Sequence, residues 1–185
     1  TRKLVLPSGY QTLITDTVGF IQDLPTALIA AFRSTLEEVK EADLLLHVVD
    51  MANADYFQHE KTVNKLLEDL EVKDIPQITV YNKRDIKHPD FVPTTNTPLI
   101  FISAYDKEDR NELKRKIEKV TIEMMLQYQV SIPSTEGKLL AQLKNETIVR
   151  ELVFDEEKEL YQCRGFSLPD HQISGQLEKY KTRME

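Results

Sequence analysis

The sequence predicts an α/β fold in which a mostly parallel sheet is wrapped by helices and followed by a small α+β domain. Three observations carry this expectation. Strand-like and helix-like segments alternate from about residue 43 to 127, the order that builds parallel sheets from β-α-β units. The run 43–50, Asp-Leu-Leu-Leu-His-Val-Val-Asp, is almost unbroken in apolar residues, the pattern of a strand covered on both faces. Beyond Ile132-Pro133 the order changes to β-α-β-β-α, which suits a small open-faced sandwich of the ferredoxin-like kind.

Each element has its own local reason. Residues 3–6 and 12–15 are extended runs around Pro7-Ser8-Gly9-Tyr10, a turn signal, and read as a hairpin. After a loop with Gly19 and Pro25, Leu28, Phe32, Leu36 and Val39 recur at helical spacing and predict an amphipathic helix over 26–41. The strand at 43–50 is expected to be central. A helix over about 55–70, a strand at 77–81 and a loop holding Pro89, Pro93 and Pro98 come next. A strand at 99–103 then leads into a helix over about 107–127 with Leu113, Ile117, Val120 and Met124 on one stripe. The second part reads as a strand at 128–132, a helix from Ser134 or Thr135, strands at 148–154 and 160–166 around an acidic turn, and a helix over about 169–181. The expected division is therefore 1–127 and 128–185, the latter too small to be independently robust.

Composition narrows the function classes. The chain has 185 residues, 41% apolar and 30% charged, as expected of a soluble globular protein of one or two domains. Cys163 is the only cysteine, which excludes an internal disulfide framework and a four-cysteine zinc site. The formal charge of -7, from 31 acids and 24 bases, argues against phosphate-backbone neutralisation as the main source of affinity, so no DNA binding is expected. The 128–185 segment, with ten acids and eight bases, carries no polyanion-binding signature either. No apolar run is long enough to cross a bilayer and no signal-like start is present, so a cytoplasmic protein is expected.

The sharpest motif is Asn82-Lys83-Arg84-Asp85, directly after the apolar strand ending at Tyr81. Three specified residues recur by chance at about 1 position in 8,000, so a match at a strand end is specific. In parallel α/β sheets, the carboxyl ends of strands face the ligand crevice. The Asp85 carboxylate can accept two parallel hydrogen bonds from the N1-H and 2-amino group of guanine, Asn82 can reach N7, and the Lys83 stem can lie on the ring. Adenine would leave the acid unpaired. The bland alternative is a solvated turn. Thr15-Asp16-Thr17-Val18-Gly19 has the form Asp-x-x-Gly after another strand: the acid can hold a magnesium ion through water and the glycine N-H can approach a terminal phosphate. Ser103-Ala104 ends a third strand, where a backbone N-H can meet guanine O6.

Order and strand-end placement point to a P-loop GTPase. The segment Thr15-Asp16-Thr17-Val18-Gly19-Phe20-Ile21, then Leu24-Pro25, then Ala31-Phe32-Arg33-Ser34-Thr35-Leu36-Glu37-Glu38, resembles the second switch of the HflX family of ribosome-associated GTPases. The resemblance covers residues 1 to about 127, with less specific motifs beyond. It implies that Asp16, Thr17, Val18 and Gly19 serve magnesium and the γ-phosphate, that Asn82, Lys83, Arg84 and Asp85 specify the base, and that Ser103, Ala104 and Tyr105 complete the base contact. It also implies GTP and GDP as ligands, Mg2+ as cofactor, the large (50S) ribosomal subunit as partner, a monomer, and ribosome or membrane-surface association in the cytoplasm.

Two departures qualify the resemblance. The glycines stand at 9, 19, 137, 165 and 175, with no two spaced as a phosphate-binding Gly-x-x-x-x-Gly-Lys-Ser/Thr loop requires. The fold class is thus a truncated P-loop GTPase sheet. The phosphate loop, the first switch and an N-terminal domain are expected upstream of Thr1, and the piece alone is expected to be inactive. Phe20 occupies the position where many GTPases place a water-orienting glutamine, so hydrolysis would be slow until a partner rearranges the site. The competing reading is a non-catalytic guanine-nucleotide-fold module that docks on the ribosome or another protein. His47, inside a strand, reads as a satisfied core histidine; His59, His88 and His171 show no ligand spacing. Cys163 reads as buried rather than reactive. Arg33 reads as a surface ion-pair partner.

Overall fold

A computed structural model describes residues 1–17, 37–169 and 171–181. The chain forms two compact units, one of Thr1–Ile14 with Ile117–Glu185 and one of Thr15–Lys116. The division expected from the sequence, 1–127 and 128–185, groups the N-terminal hairpin with the residues up to 127 instead. A long-range bond explains the difference: the Ser8 backbone N–H donates to Glu118 Oε2 at 2.8 Å, and Glu118 is itself buried.

In the first unit, β1 (Arg2–Val5) and β2 (Gln11–Ile14) pair antiparallel from Arg2 opposite Ile14 to Val5 opposite Gln11. Gly9 closes the turn at φ 89°, a conformation that glycine adopts without the Cβ penalty. The remainder is β6 (Leu126–Pro133), α3 (Gly137–Glu146), β7 (Ile148–Asp155), β8 (Leu160–Ser167) and α4 (Gln172–Leu177), the β-α-β-β-α order read from the sequence. The sheet runs β6-β8-β7, with β8 antiparallel to both neighbours, so β6 and β7 are parallel and joined through α3. An antiparallel bridge from Val130 to Lys181 sits on the other edge of β6.

Alternation along these strands sends Tyr128, Val130, Ile132 and Cys163 into a core closed by Leu139 and Leu143 of α3 and Ile173 and Leu177 of α4. The Tyr128 hydroxyl meets Thr147 Oγ1 at 2.8 Å, and burial pushes that phenol up to about 12 despite the bond. Gly165 has no substitute here, because a Cβ would lie 2.4 Å from the Ile148 carbonyl oxygen and 2.6 Å from the Tyr128 hydroxyl. Cys163 is fully buried and burial pushes its thiol up to about 11, so it packs rather than reacts.

The second unit holds a parallel sheet of order β3-β4-β5: β3 (Leu45–Asp50), β4 (Gln77–Asn82) and β5 (Leu99–Phe101). The helices α1 (Tyr56–Asp69) and α2 (Lys107–Glu123) follow β3 and β5, as the alternation predicted. β4 is the central strand, with Ile78, Thr79, Val80 and Tyr81 all buried. β3, expected to be central, is an edge strand among the described residues, and Val48 on it is 60% exposed. An apolar run reports suitability for a covered position, and within the described residues β3 has a neighbour on one side only. The helix predicted over 26–41 falls mostly outside the described residues; its end, Glu37–Glu41, is a 3-10 turn with Val39 packed on Leu70 and Val72.

Candidate functional site

The carboxyl end of β4 and the loop after β5 make the site. The Arg84 backbone N–H donates to the Ile102 carbonyl at 3.0 Å, continuing strand-like contact past the end of the paired residues. Asn82 Oδ1 accepts from the Ala104 N–H at 3.0 Å. Lys83 turns between them at φ 67°, in the left-handed region that a lysine enters only at a cost of about 1 kcal/mol. Together these place Asn82, Lys83, Arg84 and Asp85 against Ser103, Ala104 and Tyr105. An open recess of about 410 Å3 lies there, lined by Arg84, Asp85, Ser103, Tyr105 and Asp106.

The Asp85 carboxylate is exposed in this recess and makes no hydrogen bond or ion pair among the described residues. It is therefore available to accept from a ligand. Tyr105 is 91% exposed beside it, a face on which a flat ring can lie. Lys83 Nζ is held at 2.6 Å by Asp50 Oδ2 at the end of β3. The hydrogen bond that Lys83 donates to Asp50, followed by the charge of Asp50, raises the Lys83 ammonium above the usual lysine value. The Asp50 carboxyl is pushed up by burial, but Lys83 and the Ala52 N–H outweigh this and hold it below the usual carboxylate value. The ion pair ties the Lys83 side chain to the end of β3.

Two acids and one base frame the second loop, none of them singled out from the sequence. Asp106 Oδ1 accepts from the Glu108 and Asp109 N–H groups at 2.7 and 3.0 Å, capping α2, and those bonds hold its carboxyl below the usual range. Asp109, 3% exposed, accepts from Ser103 N–H at 2.6 Å and from Arg84 Nη2 at 2.8 Å. Arg110 Nη1 donates to the Ala104 carbonyl at 2.7 Å. Asp106 was legible as an Asx residue just before a predicted helix. Asp50 and Asp109 carried no signal beyond being acids at a strand end and in a first helical turn.

The base of the site is stiffened from below. The Tyr81 hydroxyl, one residue before Asn82, donates to buried Glu60 Oε1 at 3.1 Å and accepts from Thr94 N–H at 3.2 Å, while Thr94 Oγ1 donates to Glu60 Oε2 at 2.8 Å. The Tyr81 ring stacks on Phe101 and meets Phe91 edge-on. Thr79, Thr95 and Thr97 form a hydroxyl cluster one turn of the strand earlier. His47 is a half-buried histidine against Gln77 Nε2 at 3.4 Å, and its partial burial holds its imidazole below the usual value against the opposing charge of Glu60.

Asp16 and Thr17 are exposed past the end of β2 and make no hydrogen bond to this cluster among the described residues. Val18, Gly19, Phe20 and Arg33 lie outside the described residues. No group of three or more metal-ligating side chains occurs among the described residues.

A family model described as a 50S ribosome-binding GTPase matches residues 1–83, from the hairpin through Lys83 of the motif. GTPase HflX of Alkalihalophilus pseudofirmus is 52% identical over 179 residues, which is 97% of this chain and 42% of that protein. The chain belongs to the HflX GTPase family. GTPase HflX of Caldanaerobacter subterraneus subsp. tengcongensis is 44% identical over 156 residues, 84% of this chain and 36% of that protein. GTPase HflX of Magnetococcus marinus is 38% identical over 154 residues. The chain thus spans well under half the length of these HflX relatives. No described helix is long and apolar enough to cross a membrane.

Proposed function

We propose that this chain contributes base recognition and the second switch to a GTP-binding, GTP-hydrolysing factor that acts on the large ribosomal subunit. The observation that carries the reading is the exposed Asp85 carboxylate, unpaired among the described residues, at the carboxyl end of the central parallel strand, facing the Ser103–Tyr105 loop across an open recess. Asp85 accepts from guanine N1-H and the 2-amino group. Asn82 serves N7 and Lys83 covers the ring, with Arg84 fixing the loop. Ser103, Ala104 and Tyr105 line the O6 side; the Ala104 N–H, now donated to Asn82 Oδ1, would exchange that bond for guanine O6.

Asp16, exposed after β2, fits a magnesium ion held through water, since a nucleotide's phosphates supply most of that ion's oxygen ligands and the protein needs few of its own. Thr17, Val18 and Gly19 take the γ-phosphate side, and Phe20 in place of a water-orienting glutamine makes hydrolysis dependent on a partner. Hydrolysis would release this switch and change affinity for the ribosomal surface. The family description, a 50S ribosome-binding GTPase, supports that partner. The β6-β8-β7 order, with Val130 bridged to Lys181 where a fourth strand would pair, supports a ferredoxin-like reading of residues 128–185.

The test uses the full-length protein containing this chain, incubated with GTP alone and with purified 50S subunits. Phosphate release stimulated by 50S is expected. Binding to 50S that neither depends on nucleotide nor stimulates hydrolysis would instead favour a docking module.

A further inference from the structure

Asp109 does something the ordinary first-turn acid of a helix does not. The capping role at the start of α2 is already filled by Asp106, whose Oδ1 takes both the Glu108 and the Asp109 N–H groups. Asp109 instead turns its carboxylate out of the helix and spends each oxygen on a different loop. One accepts from Arg84 Nη2 at 2.8 Å, between Lys83 and Asp85. The other accepts from the backbone N–H of Ser103 at 2.6 Å. The Asp109 side chain is 4% exposed, whereas the Arg84 side chain that reaches it is 53% exposed. A buried charge is tolerated only when paired and hydrogen-bonded, and here both partners come from the two segments that flank the recess.

We propose that Asp109 is a positioning residue for guanine selectivity: it locks the Asn82–Asp85 and Ser103–Tyr105 loops in register so that Asp85 meets the N1-H and 2-amino group while the second loop meets the neighbouring O6 of the same base. The proposal rests on reading Asp85 as the base acceptor. The physical reason is angular. Two parallel hydrogen bonds to one carboxylate lose strength steeply when donor and acceptor are misaligned, and Arg84 is the peptide neighbour whose placement sets the direction of Asp85. Two loops tied to one buried group keep that direction without help from the ligand.

The test measures affinities of the full-length protein for GDP and for IDP, which lacks the 2-amino group, by fluorescent-nucleotide displacement. Asp109→Asn keeps the size and the Ser103 acceptor but removes the charge that holds Arg84. Arg84→Gln breaks the same link from its exposed side, where the fold is not at risk. Each is expected to lower the GDP-over-IDP preference by about tenfold, and the double variant no further than either single one. Arg84→Lys, which retains a charge and one donor, is expected to recover part of the preference. A uniform loss of affinity for both nucleotides, or a preference within about twofold of the parent for Arg84→Gln, overturns the proposal. Asp85→Asn serves as the control for the underlying reading: if it leaves the GDP-over-IDP preference intact, the base-site assignment itself fails, whatever Asp109 does.

Discussion

At the scale of single residues, the Lys83–Asp50 pair shows how one contact decides what a motif lysine can do. The native Asp50 carboxyl lies below its ordinary value of 3.8 because its bonds to Lys83 and the Ala52 N–H outweigh the cost of burial. A carboxyl with a lowered native pKa contributes stability above its unfolded value and loses it as pH falls through the native one. The pair is therefore intact at neutral pH and opens only in acid. Carbon-detected NMR titration of the Asp50 carboxyl is expected to give a midpoint below 3.8; a midpoint at or above it would show that the pair is not formed in solution. Asn82, Lys83 and Asp85 were legible as a constellation because strict residue types stood at a strand end. Asp50 was not, because its partner is 33 positions away and an acid ending a strand is commonplace.

At the scale of elements, β4 carries the site and its support is measurable. Tyr81 joins three pieces, since its hydroxyl ties β4 to Glu60 of α1 and to Thr94 of the loop before β5. Tyr81→Phe keeps the ring and its stacking on Phe101 but leaves the Thr94 N–H and a buried carboxylate short of a partner. It is expected to lower unfolding free energy by about 2 kcal/mol in urea titration, since removing one partner of a buried polar pair exposes its full desolvation cost. A change under about 0.5 kcal/mol would mean that water takes over the bonds at no net cost. The strands were read well from their apolar runs, and α1 and α2 from helical spacing. The rank of β3 in the sheet was not, because apolar character says a face can be covered without saying what covers it. Val48 on that strand remains 60% exposed.

At the scale of the whole chain, the two units differ in what sequence could reveal. The β-α-β-β-α order of the C-terminal segment followed from local periodicity, yet the attachment of the hairpin to that unit depends on Ser8 and Glu118, 110 residues apart, which no local pattern reports. Family membership, by contrast, was already implied by the second-switch segment and the motif after β4. Everything proposed for the intact protein turns on whether Asp85 reads guanine. The direct measurement is the affinity of full-length parent and Asp85→Asn for GDP and for XDP, whose 2-oxo group replaces the amino group. The account predicts a reversal, with GDP binding weakened by about 100-fold or more and XDP binding strengthened, because the amide can donate where the carboxylate could only accept. Unchanged GDP affinity with no gain for XDP would contradict it.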